Sequence, residues 1–307
     1  MMLGIDITTT RQKSFDHWTT SQGHKLFMSE KRSVISPAIG TLLLVHGSSM
    51  GSQGFDLDIP GDPDASIMDY FTTRGFNVWR FDCIGYGRSD KPTNHLATVA
   101  QAVPDLLAVT AYIKAQGNPD QLMLLGYSSG ALRAALFTQH HPERVKRLGL
   151  EAFVYTGKGS PTLRKRAEKL KEWKGSIRRP LSAEFLMSTM KRDHSETTME
   201  SRALPYIESI LALEDSVPNG TYIDMCENLP LVDPLKITVP TALLRGEFDG
   251  IASDEDVLEF FRLLPNPDKE FIFMPGIAHS AGTSKNYLRF YEAAYTFFAR
   301  PETVFKG

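Results

Sequence analysis

An α/β fold is what this sequence predicts: a mostly parallel central sheet, helices on both of its faces, and an inserted helical stretch. Three observations carry it. Apolar strand patterns alternate with helical ones from about residue 41 to 151. The alternation breaks over 153–236, where helical patterns run on with no convincing strand, and it resumes from 239 to the last helix. Alternation of this kind is built as strand, crossover helix and parallel strand. Such sheets bind ligands at the carboxyl ends of their strands, so an insertion there would roof the site.

Each element has its own signal. Residues 41–45 and 76–82 read as strands, with a helix over 66–73 between them. A second helix covers about 99–115, with Pro104 in an early turn and Gly117 as its stop. Residues 121–125 are a strand, 129–140 a helix and 145–151 another strand. After the break, 239–244 is a strand, and Ser253 can cap a helix over 253–264 whose first turn is acidic. Residues 270–274 are a strand, and a helix over about 284–299 puts Tyr287, Phe290, Tyr291, Ala294 and Phe298 on one face.

Bulk properties exclude several classes. At 307 residues and 42% hydrophobic the chain can build a real core. A net charge of −2 gives no electrostatic case for nucleic acid or an acidic membrane as a partner. The first eleven residues lack a positive start followed by an apolar run, which reads as no signal peptide. No stretch approaches the ~18 apolar residues of a membrane span. The two cysteines, Cys83 and Cys226, lie far apart without metal spacing and are expected as reduced thiols in a cytoplasmic protein.

The chemistry begins at Gly126-Tyr127-Ser128-Ser129-Gly130, placed between a buried-looking strand and a small-residue helix. A sharp strand-to-helix turn lifts a serine hydroxyl above the sheet edge, glycines flank it for want of room, and the helix directs its free N–H groups at the site. The five-residue pattern alone would occur by chance in about one such chain in ten. It occurs a second time here, at Gly47-Ser48-Ser49-Met50-Gly51, but no helix can follow Ser49. Ser128 is therefore the expected nucleophile.

A serine hydroxyl needs a base, and the base an orienting acid, both later in the chain. Of the eight histidines, His279 lies in a suitable loop between the 270–274 strand and the last helix. Asp249, just past the 239–244 strand, is the expected acid, with Glu151 and Glu247 as competitors. The tetrahedral intermediate requires two N–H donors: the backbone of Ser129 is one, and the loop after the 41–45 strand supplies the other, at Ser48 or, next, Ser49.

With these residues in place the chain resembles the α/β-hydrolase fold superfamily, in its lid-bearing serine esterase branch. The matching stretches are Leu42-Leu43-Leu44-Val45-His46-Gly47, the segment from Phe81-Asp82 to Ser89-Asp90, the Ser128 turn, His141 to Val145, Gly246-Glu247-Phe248-Asp249 and the His279 loop. The resemblance implies a Ser–His–Asp triad, no metal or other cofactor, and a helical lid at 153–236 inserted into a core of residues 1–152 and 237–307. The chain departs from the family's pattern in the long loop with Phe55 to Gly61 and in Arg133 on the helix after the nucleophile.

The expected substrate is a small-molecule carboxylic ester, small to medium and apolar or aromatic, in some cases bearing a carboxylate. Carbon–carbon hydrolysis of ring-cleavage products and amide or lactone hydrolysis are the alternatives, and loss of catalysis in a binding protein is a further one. Arg133, Ser49, Tyr127, Phe153 and Tyr155 are the residues expected against the substrate. Arg133 would either grip a carboxylate or pair with Glu151. The basic run from Arg164 to Arg179 reads as a solvated face.

Overall fold

The computed structural model describes residues 9–304; residues 1–8, on which the reading of the N-terminus largely rests, lie outside them. Two strands that the sequence reading did not identify come first. β1 (Ser14–Ser21) and β2 (His24–Lys31) form a hairpin across Gln22 and Gly23, both at positive φ (51° and 81°). A two-residue turn of that kind matches the natural twist of paired strands. Then follow β3 (Gly40–Val45), α1 (Ile67–Thr72), β4 (Phe76–Phe81), α2 (Ala102–Ala115), β5 (Leu122–Tyr127), α3 (Ser129–His140) and β6 (Val145–Glu151). After the insertion come β9 (Thr241–Gly246), α9 (Asp254–Leu263), β10 (Lys269–Met274) and α10 (Tyr287–Ala299).

The sheet order is β1-β2-β4-β3-β5-β6-β9-β10. β2 runs antiparallel to both neighbours, and the strands from β4 to β10 are mutually parallel. The alternation of side chains along a strand fills two cores. Leu43 and Val45 pack with Leu124, Leu150 and α2 and α3 on one face. Leu42 and Leu44 pack with Leu125, Leu244 and α1 and α10 on the other.

Between β6 and β9 lie α4 (Pro161–Ala167), α5 (Leu170–Lys174), α6 (Ala183–Lys191), α7 (Glu200–Leu211) and α8 (Gly220–Glu227). This stretch is not wholly helical. β7 (Arg178–Pro180) and β8 (Ser216–Pro218) form a short antiparallel ribbon that ties α5 and α6 to the end of α7 and to α8. Leu186, Met190, Ala203, Ile207 and Ile210 give α6 and α7 a small core of their own.

Candidate active site

At the end of β5 the chain turns into α3 through Ser128, whose φ of +56° and ψ of −121° are sparsely populated for a residue with a side chain. The turn closes only because its neighbours lack Cβ atoms. A Cβ on Gly126 would meet the Gly130 carbonyl oxygen at 2.4 Å, and one on Gly130 the Val45 oxygen at 2.1 Å. The Ser128 N–H is held by the Glu151 carbonyl oxygen at 2.9 Å, so β6 fixes the turn from the side.

The hydroxyl so raised lies 3.0 Å from His279 Nε2, and His279 Nδ1 lies 2.8 Å from Asp249 Oδ1. All three residues are buried. Asp249 Oδ1 also accepts the Ile251 N–H at 3.0 Å. Burial would raise the Asp249 carboxyl, but the His279 imidazole and the Arg245 guanidinium outweigh it and hold the group below the usual carboxylate range. A carboxylate there fixes the imidazole with Nδ1–H toward itself, which leaves Nε2 free to accept the Ser128 proton. Tyr127 donates to the His279 carbonyl oxygen (3.1 Å) and steadies that loop.

The competing acids do other things. Glu247 is exposed and accepts the Gly276 N–H at 2.7 Å, bracing the turn before His279. Glu151 is buried, and neither carboxyl oxygen has a hydrogen-bond partner among the described residues. Burial, and then the charge on Asp249, push its carboxyl well above the usual range.

Ser48 and Ser129 flank Ser128 with backbone N–H groups that meet no acceptor among the described residues. The Ser48 carbonyl oxygen accepts from Arg179 Nη2 at 2.7 Å. Ser49 has no such relay among the described residues: its Oγ meets Arg179 Nη2 (3.0 Å) and Tyr222 Oη (3.3 Å) rather than a histidine.

Two cavities adjoin beside the site, and Ser128 lines the smaller of them. The larger, about 680 Å³, is lined by Met50, Phe55, Leu57, Ile67, Leu125, Tyr206 and Tyr291 among others. The long loop after His46 thus forms a wall of the apolar space. The smaller, about 360 Å³, holds Ser128, His279, Ser48 and Ser49 together with Arg166, Arg192 and Tyr222. Tyr127, Met50, Thr189 and Ser280 border both.

Three expected substrate contacts are corrected. Arg133 is wholly buried and lines neither cavity; it donates to the carbonyls of His46 (3.1 Å) and Gly47 (3.4 Å) and to Tyr86 Oη (3.3 Å). It therefore braces the loop before Ser48 and does not pair with Glu151. Phe153 and Tyr155 leave the site because the chain turns at Ala152 (φ 52°), and both pack on Phe260 of α9, at 4.6 and 5.3 Å. The basic run is corrected too. Arg164, Lys165, Lys169 and Lys171 are exposed, but Arg166 and Arg179 turn inward.

Asp193 is a site neighbour that the sequence reading missed. Its carboxylate lies within 4.8 Å of Asp249 and His279, a grouping able in principle to hold a cation. Both acids are occupied, Asp193 by Arg192 through two bonds (2.8 and 2.7 Å) and Asp249 by His279.

A family model described as serine aminopeptidase, S33, matches residues 37–283. Among solved structures the chain is similar to an esterase from Exiguobacterium antarcticum, with a TM-score of 0.70 at 16% identity over 93% of this chain and 100% of that one. It is similar to a hydrolase from Pseudomonas aeruginosa, with a TM-score of 0.70 at 17% identity over 93% and 98%. It is also similar to the enol-lactonase from Burkholderia xenovorans LB400, with a TM-score of 0.66 at 16% identity over 92% and 100%. At these identities the likeness is one of fold. No curated protein matches the sequence.

Proposed function

The chain belongs to the serine aminopeptidase S33 family of the α/β-hydrolase superfamily, and from that premise we propose that it is a serine hydrolase of carboxylic esters. The observation that carries this reading is the relay from Ser128 Oγ to His279 Nε2 (3.0 Å) and from His279 Nδ1 to Asp249 (2.8 Å) at the strand-to-helix turn.

Ser128 attacks the ester carbonyl as its proton passes to His279 Nε2. The oxyanion forms between the Ser48 and Ser129 N–H groups. Collapse of the intermediate expels the alcohol, which takes the proton from His279, and leaves an acyl-serine. Water then attacks that acyl group with His279 again as base, releasing the acid and restoring the hydroxyl. Residues 153–236 act as a cap over the site, and the 680 Å³ cavity takes the apolar part of the substrate. An aminopeptidase must hold a free α-ammonium group near its nucleophile. Here Arg166 and Arg192 line the cavity that holds Ser128, and Asp193 is held by Arg192, which favours an ester over an N-terminal peptide bond. No helix among the described residues is long and apolar enough to cross a membrane, and two free thiols suit the cytoplasm, where we place the enzyme.

The test is labelling by a fluorophosphonate beside turnover of p-nitrophenyl esters of graded chain length, monoalkyl phthalates and a ring-cleavage dienoate. Ser128→Ala is expected to abolish labelling and to lower kcat on the order of a million-fold. Ser49→Ala, a change in the oxyanion loop, should cost ~10–1000-fold and leave the label on Ser128. Labelling of Ser49 instead, or turnover of the dienoate alone, overturns the reading.

A further inference from the structure

Positive charge gathers in the smaller cavity, and the guanidinium groups there are not used alike. Arg192 is neutralised by its two bonds to Asp193. Arg179 lies behind the cavity wall, 3.7 Å from the Tyr222 ring centroid, and is spent on Ser48 O, Ser49 Oγ and Pro218 O. Arg166 lies 4.0 Å from the same ring centroid, and its further polar contact is to Met225 Sδ at 3.9 Å. Among the described residues no carboxylate lies within ion-pair distance of Arg166.

A half-buried guanidinium without a carboxylate partner is costly, and its planar fork suits a carboxylate at two points. The local field registers on Tyr222. Burial would raise its phenol, but Arg166 and then Arg179 pull it down to about 7. The site therefore favours negative charge within the cavity that also contains Ser128 and His279. On the other side of Tyr127 and Met50 lies the apolar cavity, about twice as large.

We propose that the smaller cavity is a carboxylate subsite. Arg166, stacked on Tyr222, takes a short acid arm of the substrate in the cavity that also holds Ser128 and the ester carbonyl, and the adjoining larger cavity takes its apolar part. Arg166 is thus the residue that sets specificity for monoesters carrying a free acid. The inference rests on the serine-hydrolase reading above.

The test uses matched pairs that differ in one charge. Hexyl hydrogen succinate carries its acid on the acyl side and O-hexanoylglycolate on the alcohol side; each is compared with its methyl ester. Wild type should prefer the free acid in at least one pair. Arg166→Met should shrink that preference ~10–100-fold through KM, the scale of a charge-assisted contact, and Arg166→Lys should restore part of it. Tyr222→Phe removes the phenol that competes for the guanidinium and should keep or sharpen the preference. If Ser128 labels with a fluorophosphonate but acid and methyl ester are cleaved alike, the subsite is refuted and the hydrolase reading stands. If Ser128 does not label, the underlying reading has failed instead. Equal losses on both members of a pair in Arg166→Met, with a lower Tm, would make Arg166 a structural brace and overturn the proposal. So would tighter inhibition by hexyl phosphate than by hexanoate that vanishes in Arg166→Met, since the anion would then be a phosphate.

Discussion

His46 shows how much one buried side chain is asked to do beside the site. Its Nε2 accepts the Cys83 N–H at 3.1 Å and its Nδ1 donates to the Gly47 carbonyl at 2.8 Å, so the neutral ring is satisfied at both ends. Burial, and then the Arg133 charge, lower its pKa to about 4. The unfolded chain takes up a proton below ~6.5 that the folded chain refuses. Stability should therefore fall as pH drops from ~6.5 to ~4, by up to about 3 kcal/mol from this group. Denaturant unfolding at pH 7.5 and 4.5 should show the advantage of wild type over His46→Gln shrinking at the lower pH; a constant difference would mean that the ring is not kept neutral. Glu151 behaves in the opposite sense. Its raised pKa keeps it protonated while the unfolded chain ionises, so it penalises the fold increasingly as pH rises above ~4.5. Glu151→Gln keeps the shape without the penalty and should gain stability over wild type at pH 8, with ester turnover within about threefold. Asp249→Asn should lose turnover by ~10⁴-fold, because the imidazole is then held in the wrong tautomer. The reverse pattern would move the acid to β6.

At the scale of elements, the insertion is fastened to the core by the residues that follow α7. Glu214 is buried and accepts the N–H groups of Gly51 (2.9 Å) and Gly87 (2.8 Å), one from the loop after β3 and one from the loop after β4. Glu214→Leu strands both donors, at about 1–3 kcal/mol each. Hydrogen exchange at Gly51 and Gly87 should rise selectively, and unaltered exchange there would show that the clamp is not holding the loops. The parallel strands were legible because apolar residues cluster in them between turn residues, unbroken in β3 and β5 and interrupted by polar or charged residues in β4 and β6, and Ser128, His279 and Asp249 because each follows a parallel strand. The β1–β2 hairpin was not, since β1 is half-exposed and interleaves Asp16, His17 and Thr19 with its aromatic residues. The β7–β8 ribbon is three residues on each side, too short to show a period. Arg166 and Arg179 sit in a basic run without an apolar period. What turns them inward is Tyr222, more than forty residues further on, and a contact across that distance leaves no local pattern. Arg133 misled for the converse reason: its place one turn into α3 is right for a substrate contact, but the carbonyls of His46 and Gly47, brought in from β3, already occupy it.

Across the whole molecule, the N-terminal hairpin and the apolar cavity are joined by a buried charge cluster. Lys31, at the end of β2, is fully buried and meets Asp56 at 2.5 Å and Asp69 at 2.7 Å. Asp69 belongs to α1, and Asp56 to the long loop whose Phe55 and Leu57 face the cavity on either side of it. Arg11 reaches the same two acids from the segment before β1. Burial would raise the Asp56 carboxyl, but Lys31 and Arg11 more than offset it and lower it below the usual value. The hairpin thus shapes the substrate space without touching it. Lys31→Met fills the same room but leaves two buried carboxylates short of their main counter-charge, which should cost about 3–5 kcal/mol at pH 7.5. The loss should shrink on acidification, because protonation of Asp56 removes the stranded charge. Since Phe55 and Leu57 are carried by that loop, kcat/KM should fall more for p-nitrophenyl esters with long acyl chains than for the acetate. A destabilisation below about 1 kcal/mol, or an unchanged chain-length profile, would separate the cluster from the cavity and leave the hairpin as an edge of the sheet alone.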